Sequence, residues 1–138
     1  MDKLIEQLKL HEGVRSHVYT CSAGYETIGV GRNISESGLG LSDDEIDYLL
    51  TNDIARCRKE LTKFPWFDGL DDVRQDAMIN ICFNLGITRL RGFKNALLAM
   101  HNGDFEAAAD HFLDSRWAMQ VGKRAVDVTD MIRTGRYD

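Results

Sequence analysis

Apolar positions recur at helical spacing at the amino end of the chain. Leu4, Ile5 and Leu8 share one side of a helix predicted over residues 3–11, and the pattern stops at Gly13, so His11 and Glu12 fall in its last turn. From Val14 to Ile34 the rhythm changes to short β-branched and aromatic stretches punctuated by Gly24, Gly29 and Gly31, which predicts a small antiparallel sheet. Ser42-Asp43-Asp44-Glu45 has the form of a capping box, and Ile46, Leu49, Leu50, Ile54, Cys57 and Leu61 follow on one face, so a long helix is predicted over 43–61. It ends before Phe64-Pro65-Trp66-Phe67, which holds the only proline. Four further helices are predicted: 72–85 closed by Gly86, 93–102 closed by Gly103, 104–113, and 123–134 closed by Gly135.

These elements predict an α+β, mostly α fold with two lobes. A small sheet lobe over residues 13–41 is joined by the 43–61 helix to a helical lobe over 62–138, all within one domain spanning 1–138. A cleft between such lobes is where a long polymer is expected to lie. The length of 138 residues, 43% of them hydrophobic, suffices for one core without staples. Cys21, Cys57 and Cys82 cannot all pair and match no zinc spacing, which points to a reducing compartment. The net charge of −5 is concentrated in residues 42–76, where ten acids face five bases. No basic stripe appears, so nucleic-acid binding is not expected. The first residues alternate charge with apolar side chains instead of forming a signal-peptide core, and the expectation is a soluble protein with neither export address nor membrane anchor.

The informative stretch is His11-Glu12-Gly13, then Tyr19-Thr20-Cys21, then Gly24-Tyr25-Glu26-Thr27-Ile28-Gly29-Val30-Gly31. Glu12, eight residues, Cys21, five residues, Thr27 and then Ile-Gly-x-Gly closely resembles the catalytic segment of the phage-type lysozymes, glycoside hydrolase family 24. The resemblance continues through Asn80-Ile81-Cys82-Phe83-Asn84-Leu85-Gly86, Ser115-Arg116-Trp117 and Arg133-Thr134-Gly135, and so covers nearly the whole chain. It implies a lysozyme-like fold. The chain is short between Arg32 and the 43–61 helix for this family, so a reduced sheet lobe is expected.

Glycosidic cleavage needs an acid for the leaving oxygen, and a group that delivers water to the oxocarbenium-like centre or stabilises it. The resemblance assigns the acid to Glu12 and a water-holding hydroxyl to Thr27, and it places an aspartate where this chain has Cys21. A thiol with an ordinary pKa of about 8.5 is mostly neutral near pH 7 unless its surroundings lower that value. Three roles are therefore open for Cys21: a thiolate that orients the water or acts as base, a nucleophile that forms a thioglycoside, or a spacer beside Thr27. The first is favoured, because thioglycosides hydrolyse reluctantly. Some family members carry cysteine at this position.

Further roles follow by matching positions. The resemblance gives Arg124 as the arginine that pairs with the acid, Phe83 and Asn84 as substrate contacts, and Gly31 as a supporting residue. Arg32 and Asp53 match a cation and an aspartate that tie the sheet lobe to the long helix. The family usually has glutamine at the position of Asn84.

Simpler readings stand beside each of these. Taken alone, Glu12 is a surface glutamate at a helix end, and Thr27 an ordinary strand threonine. Cys21 as an inert small residue rivals any chemical role. Cys57 and Cys82 fall on apolar helical faces, and Trp66, Trp117 and Phe112 are better core residues than sugar platforms. His11, Glu12 and His17 do not make His-Glu-x-x-His, His101 and His111 have no acidic partner at ligand spacing, and Gly29 with Gly31 lacks the third glycine of a phosphate loop. No metal and no cofactor is expected.

The resemblance implies an inverting muramidase, acting as a monomer on the glycan strands of bacterial peptidoglycan. It further implies storage in the host cell's cytoplasm and dependence on a holin. Two alternatives remain at this point: a lytic transglycosylase, which needs only one carboxylate and leaves 1,6-anhydro ends, and a non-catalytic glycan-binding module on the same scaffold.

Overall fold

The computed structural model describes residues 2–138 and is mostly helical with one three-stranded antiparallel sheet, the expected α+β class of lysozyme-like folds. It divides into two compact units, Met1–Leu49 and Leu50–Asp138, with the division inside the long helix.

In the first unit, α1 (Asp2–Glu12) ends where predicted, and its last turn is closed by the Gly13 N–H donating to the Lys9 carbonyl at 2.9 Å. β1 (Arg15–Thr20), β2 (Glu26–Gly29) and β3 (Arg32–Asn33) form the sheet in the order β1-β2-β3. Tyr19 pairs with Thr27 and Ile28 with Arg32, while an irregularity between Arg15 and Tyr19 bends β1. The loop after β3 is folded on Asn33, whose side chain accepts from the Ser35 amide at 3.0 Å and whose carbonyl accepts from the Gly40 amide at 3.1 Å. The long helix α2 (Asp43–Leu61) begins with the predicted reciprocal box: the Ser42 amide donates to Glu45 Oε1 at 2.9 Å, and the Glu45 amide to Ser42 Oγ at 3.4 Å. Thr27 is the one fully buried residue among those described in this unit.

The core lies in the second unit. There α3 (Asp72–Leu85) and α6 (Phe105–Leu113) pack on α8 (Lys123–Thr134), and α5 (Lys94–His101) packs on α6. Phe93, Phe112 and Trp117 form an aromatic cluster with ring centroids 5.5–6.4 Å apart. Phe112, Trp117 and Cys82 are buried as expected, whereas Cys57 and Trp66 are half-buried and lie against the core. Asp71 and Asp104 cap α3 and α6 through their side chains, and Gly135 closes α8 in the left-handed conformation, its N–H donating to the Met131 carbonyl at 2.8 Å.

Six helices follow α2, not four. The additional ones are α4 (Ile87–Arg91) and α7 (Arg116–Val121), five and six residues long, too short to display a helical period in sequence. Ser115 caps α7, its hydroxyl accepting from the Ala118 amide at 3.1 Å. Among the described residues no helix is long and apolar enough to cross a membrane.

Candidate functional site

Five of the singled-out residues, Glu12, Cys21, Thr27, Gly31 and Arg32, lie in the first unit, and the other four, Asp53, Phe83, Asn84 and Arg124, in the second. Glu12 is the last residue of α1, exposed, with its carboxyl group against the α-carbon of Gly31 in the β2–β3 turn.

Cys21 follows β1 and opens a tight turn in which its amide donates to the Tyr25 carbonyl and the Gly24 amide donates back to the Cys21 carbonyl, each at 2.9 Å. Hydrogen bonding from the backbone of Tyr25, then of Ala23, holds the half-buried Cys21 thiol below its ordinary pKa. Thr27 is only 2% exposed, so its hydroxyl must be satisfied, and it donates to the Tyr25 carbonyl at 2.8 Å. With its one proton committed there, the backbone amides are the groups that lower the Cys21 thiol. The remaining lone pair on Thr27 Oγ1 is free to accept. The first unit thus holds a carboxyl group at a helix end against Gly31, and on its sheet a thiol whose pKa is lowered and a buried, hydrogen-bonded hydroxyl.

Within the first unit Arg32 Nη1 donates to Glu45 Oε1 at 2.7 Å and to the Gly40 carbonyl at 3.0 Å. Within the second, Asp53 Oδ1 accepts from Arg56 Nη1 at 2.8 Å, one turn along α2. The capping box turns the Glu45 carboxylate back toward Ser42, at the end of the short loop that follows β3, and Arg32 meets it there. Arg32 is raised and Glu45 lowered to about 2, chiefly by the hydrogen bond they share. In the sequence alone, Glu45 is visible only as the last residue of the capping box.

In the second unit, Arg124 reaches across from α8 to α3, its Nε donating to Asn80 Oδ1 at 2.9 Å and its Nη2 to the Asn80 carbonyl at 3.2 Å. Arg124, Asn80, Ile79, Tyr137 and the exposed ring of Phe83 line a concavity of about 370 Å³. Asn84 Oδ1 accepts from Trp117 Nε1 at 2.7 Å, which secures the shorter side chain to the aromatic cluster. Asn80 was not among the singled-out residues, although it opens the Asn80–Gly86 stretch on which the resemblance partly rested. Among the described residues no group of three or more His, Cys, Asp or Glu side chains is placed to hold a metal ion.

Sequence comparison places this geometry in a family. The chain is 28% identical over 162 residues to the pre-baseplate central spike protein Gp5 of Enterobacteria phage T4, an alignment that takes in 98% of this chain but only 28% of the spike protein. It is 25% identical to probable T4-type lysozyme 1 of Dictyostelium discoideum, covering 94% of this chain and 93% of that protein. An endolysin of Acyrthosiphon pisum secondary endosymbiont phage 1 is 28% identical, covering 89% of this chain and 84% of the endolysin. The family model for phage lysozyme matches residues 9–131, from the last turn of α1 to α8, and the chain therefore belongs to the phage lysozyme family.

Proposed function

We propose that this chain is an endolysin-type muramidase that hydrolyses the β-1,4 bond between N-acetylmuramic acid and N-acetylglucosamine in bacterial peptidoglycan. The observation that carries the reading is the first unit's combination of Glu12 with an acidified Cys21 and a buried, oriented Thr27, in a chain of the phage lysozyme family. Glu12 protonates the glycosidic oxygen as the bond to the anomeric carbon breaks. A water held by Thr27 Oγ1 attacks that carbon from the opposite face, giving up a proton to the Cys21 thiolate and inverting the configuration. Product release then leaves a protonated thiol and an ionised Glu12, which exchange protons with solvent. In the same reading the enzyme is a monomer, held in the host cytoplasm until a holin admits it to the wall.

A lytic transglycosylase is the second reading, favoured by one feature: a thiol stands where a carboxylate would activate the water. Digestion of purified walls followed by mass spectrometry of the muropeptides separates the two. Reducing-end products, absent with Glu12→Gln, are expected; 1,6-anhydro products without reducing ends would replace the hydrolase with the transglycosylase. Equal clearing of wall suspensions by wild type and Glu12→Gln would overturn both.

A further inference from the structure

We propose that Gly31 is a positioning residue for Glu12: its missing side chain leaves the space in which the acid's carboxyl group sits. The proposal rests on the reading of Glu12 as the general acid and adds the residue that sets where its proton is delivered.

Gly29-Val30-Gly31 is the three-residue connection between the paired Ile28 and Arg32. Both glycines have positive φ, 70° at Gly29 and 68° at Gly31, so at either one a side chain meets the same backbone resistance. They differ in what surrounds them. A β-carbon on Gly29 would meet nothing within 4 Å, whereas one on Gly31 would lie 2.5 Å from Glu12 Oε2, 3.1 Å from its Cδ and 3.2 Å from its Cγ. Turn geometry therefore accounts for a glycine at both positions, and at Gly31 alone the place of the β-carbon is also taken up by the Glu12 carboxyl group.

Neither backbone is free to give way. The turn is clamped by the Ile28–Arg32 and Thr27–Asn33 pairs, and Arg32 is itself held by Glu45 and the Gly40 carbonyl. Glu12 belongs to the closed last turn of α1. The end of the Glu12 side chain is the part that can move, and a displacement of that kind is cheap for folding. It is expensive for proton transfer, where misplacement by about 1 Å costs on the order of a hundredfold in rate. A methyl group at position 31 thus acts on catalysis through Glu12 while adding little to the folding cost of the turn.

The test compares Gly31→Ala with Gly29→Ala in the full chain. Both are expected to lower the melting temperature by a similar amount. Only Gly31→Ala is expected to lose kcat on peptidoglycan, by about a hundredfold with KM little changed. In a Glu12→Asp background, where the carboxyl group is one methylene further back, Gly31→Ala is expected to cost less than about threefold more. The ¹³C resonance of the Glu12 carboxyl should shift in Gly31→Ala and stay in place in Gly29→Ala, a readout that needs no activity. Equal kcat for the two alanine variants, or the same hundredfold loss in the Glu12→Asp background, would overturn the proposal. An unmoved carboxyl resonance would do so too. Undiminished activity of Glu12→Gln would instead remove the general-acid reading, with the resonance shift still reporting the contact.

Discussion

Arg32 and Glu45 share a 2.7 Å ion pair in which the same carboxylate oxygen also accepts from the amide and hydroxyl of Ser42. One oxygen therefore joins the last strand, the loop that follows it and the start of α2. The pairing has a pH signature. Glu45 titrates near 4.5 when unpaired and at about 2 in the fold, so between those values the unfolded chain binds the extra proton. Its contribution to stability is complete above the unfolded value, declines as pH falls below it, and is gone once pH has passed through about 2. Glu45→Gln should accordingly be less stable than wild type at neutral pH and should show a flatter fall in melting temperature on acidification. Parallel curves would show that the pair contributes nothing to acid sensitivity.

The thiol makes the second prediction. Burial pushes Cys82 up to about 12, with the nearby Cys57 adding to it, whereas the amides of the 21–25 turn bring Cys21 down. Peptide-resolved alkylation across pH should give Cys21 a reactivity midpoint below the ordinary cysteine value of about 8.5, with Cys82 protected throughout the native range. For activity, Cys21→Asp should clear walls and Cys21→Ala should lose most clearing. Wild-type rates in Cys21→Ala would leave Thr27 alone to hold the water.

Much of this architecture is readable along the chain because its signals are local. The Ser42–Glu45 box, the Asp71 and Asp104 caps and the glycines after α3 and α8 mark helix ends whatever lies around them. The short α4 and α7 escape such a reading because five or six residues carry too few periods to register. At the site, the spacing of Glu12, Cys21 and Thr27 is legible as a family pattern, but the pairing of Arg32 with Glu45 is not. That pairing depends on how far the short loop after β3 carries the chain, a property of its folded path. The approach of Glu12 to Gly31 is equally invisible, since eighteen residues lie between them and only the hairpin brings them together.

Asn84 provides a third test. Trp117 is 2% exposed, and its indole N–H donates to the Asn84 side-chain oxygen Oδ1 at 2.7 Å. Asn84→Ala leaves that donor without its partner and should cost about 1–2 kcal/mol of stability. Asn84→Gln keeps an acceptor on a longer arm and should cost less. Urea denaturation measures both, and the Trp117 indole proton resonance should move in Asn84→Ala. A neutral Asn84→Ala would mean that the indole finds water instead.

Arg74 joins the start of α3 to the end of α8, and its bonds explain why a charged side chain is only 17% exposed there. Its Nε donates to the Ile132 carbonyl at 2.6 Å and its Nη2 to the Arg133 carbonyl at 3.0 Å, two acceptors that the helix end leaves without intrahelical partners. Its Nη1 donates to Asp71 at 3.0 Å, and the guanidinium plane lies 3.9 Å from the centre of the Phe105 ring. Positive charge at this position also complements the negative end of the α8 dipole. A lysine keeps the charge but has one nitrogen where three are used, and it cannot stack as a plane. Arg74→Lys should therefore destabilise the protein by about 2–3 kcal/mol, the range for losing charged hydrogen bonds to buried carbonyls. Native-state hydrogen exchange locates the effect: amides in the last turn of α8 should exchange faster while those at the centre of α5 change least. A uniform acceleration across α3, α5 and α8 would mean that Arg74 supports global packing and that the helix end has no dependence on it of its own.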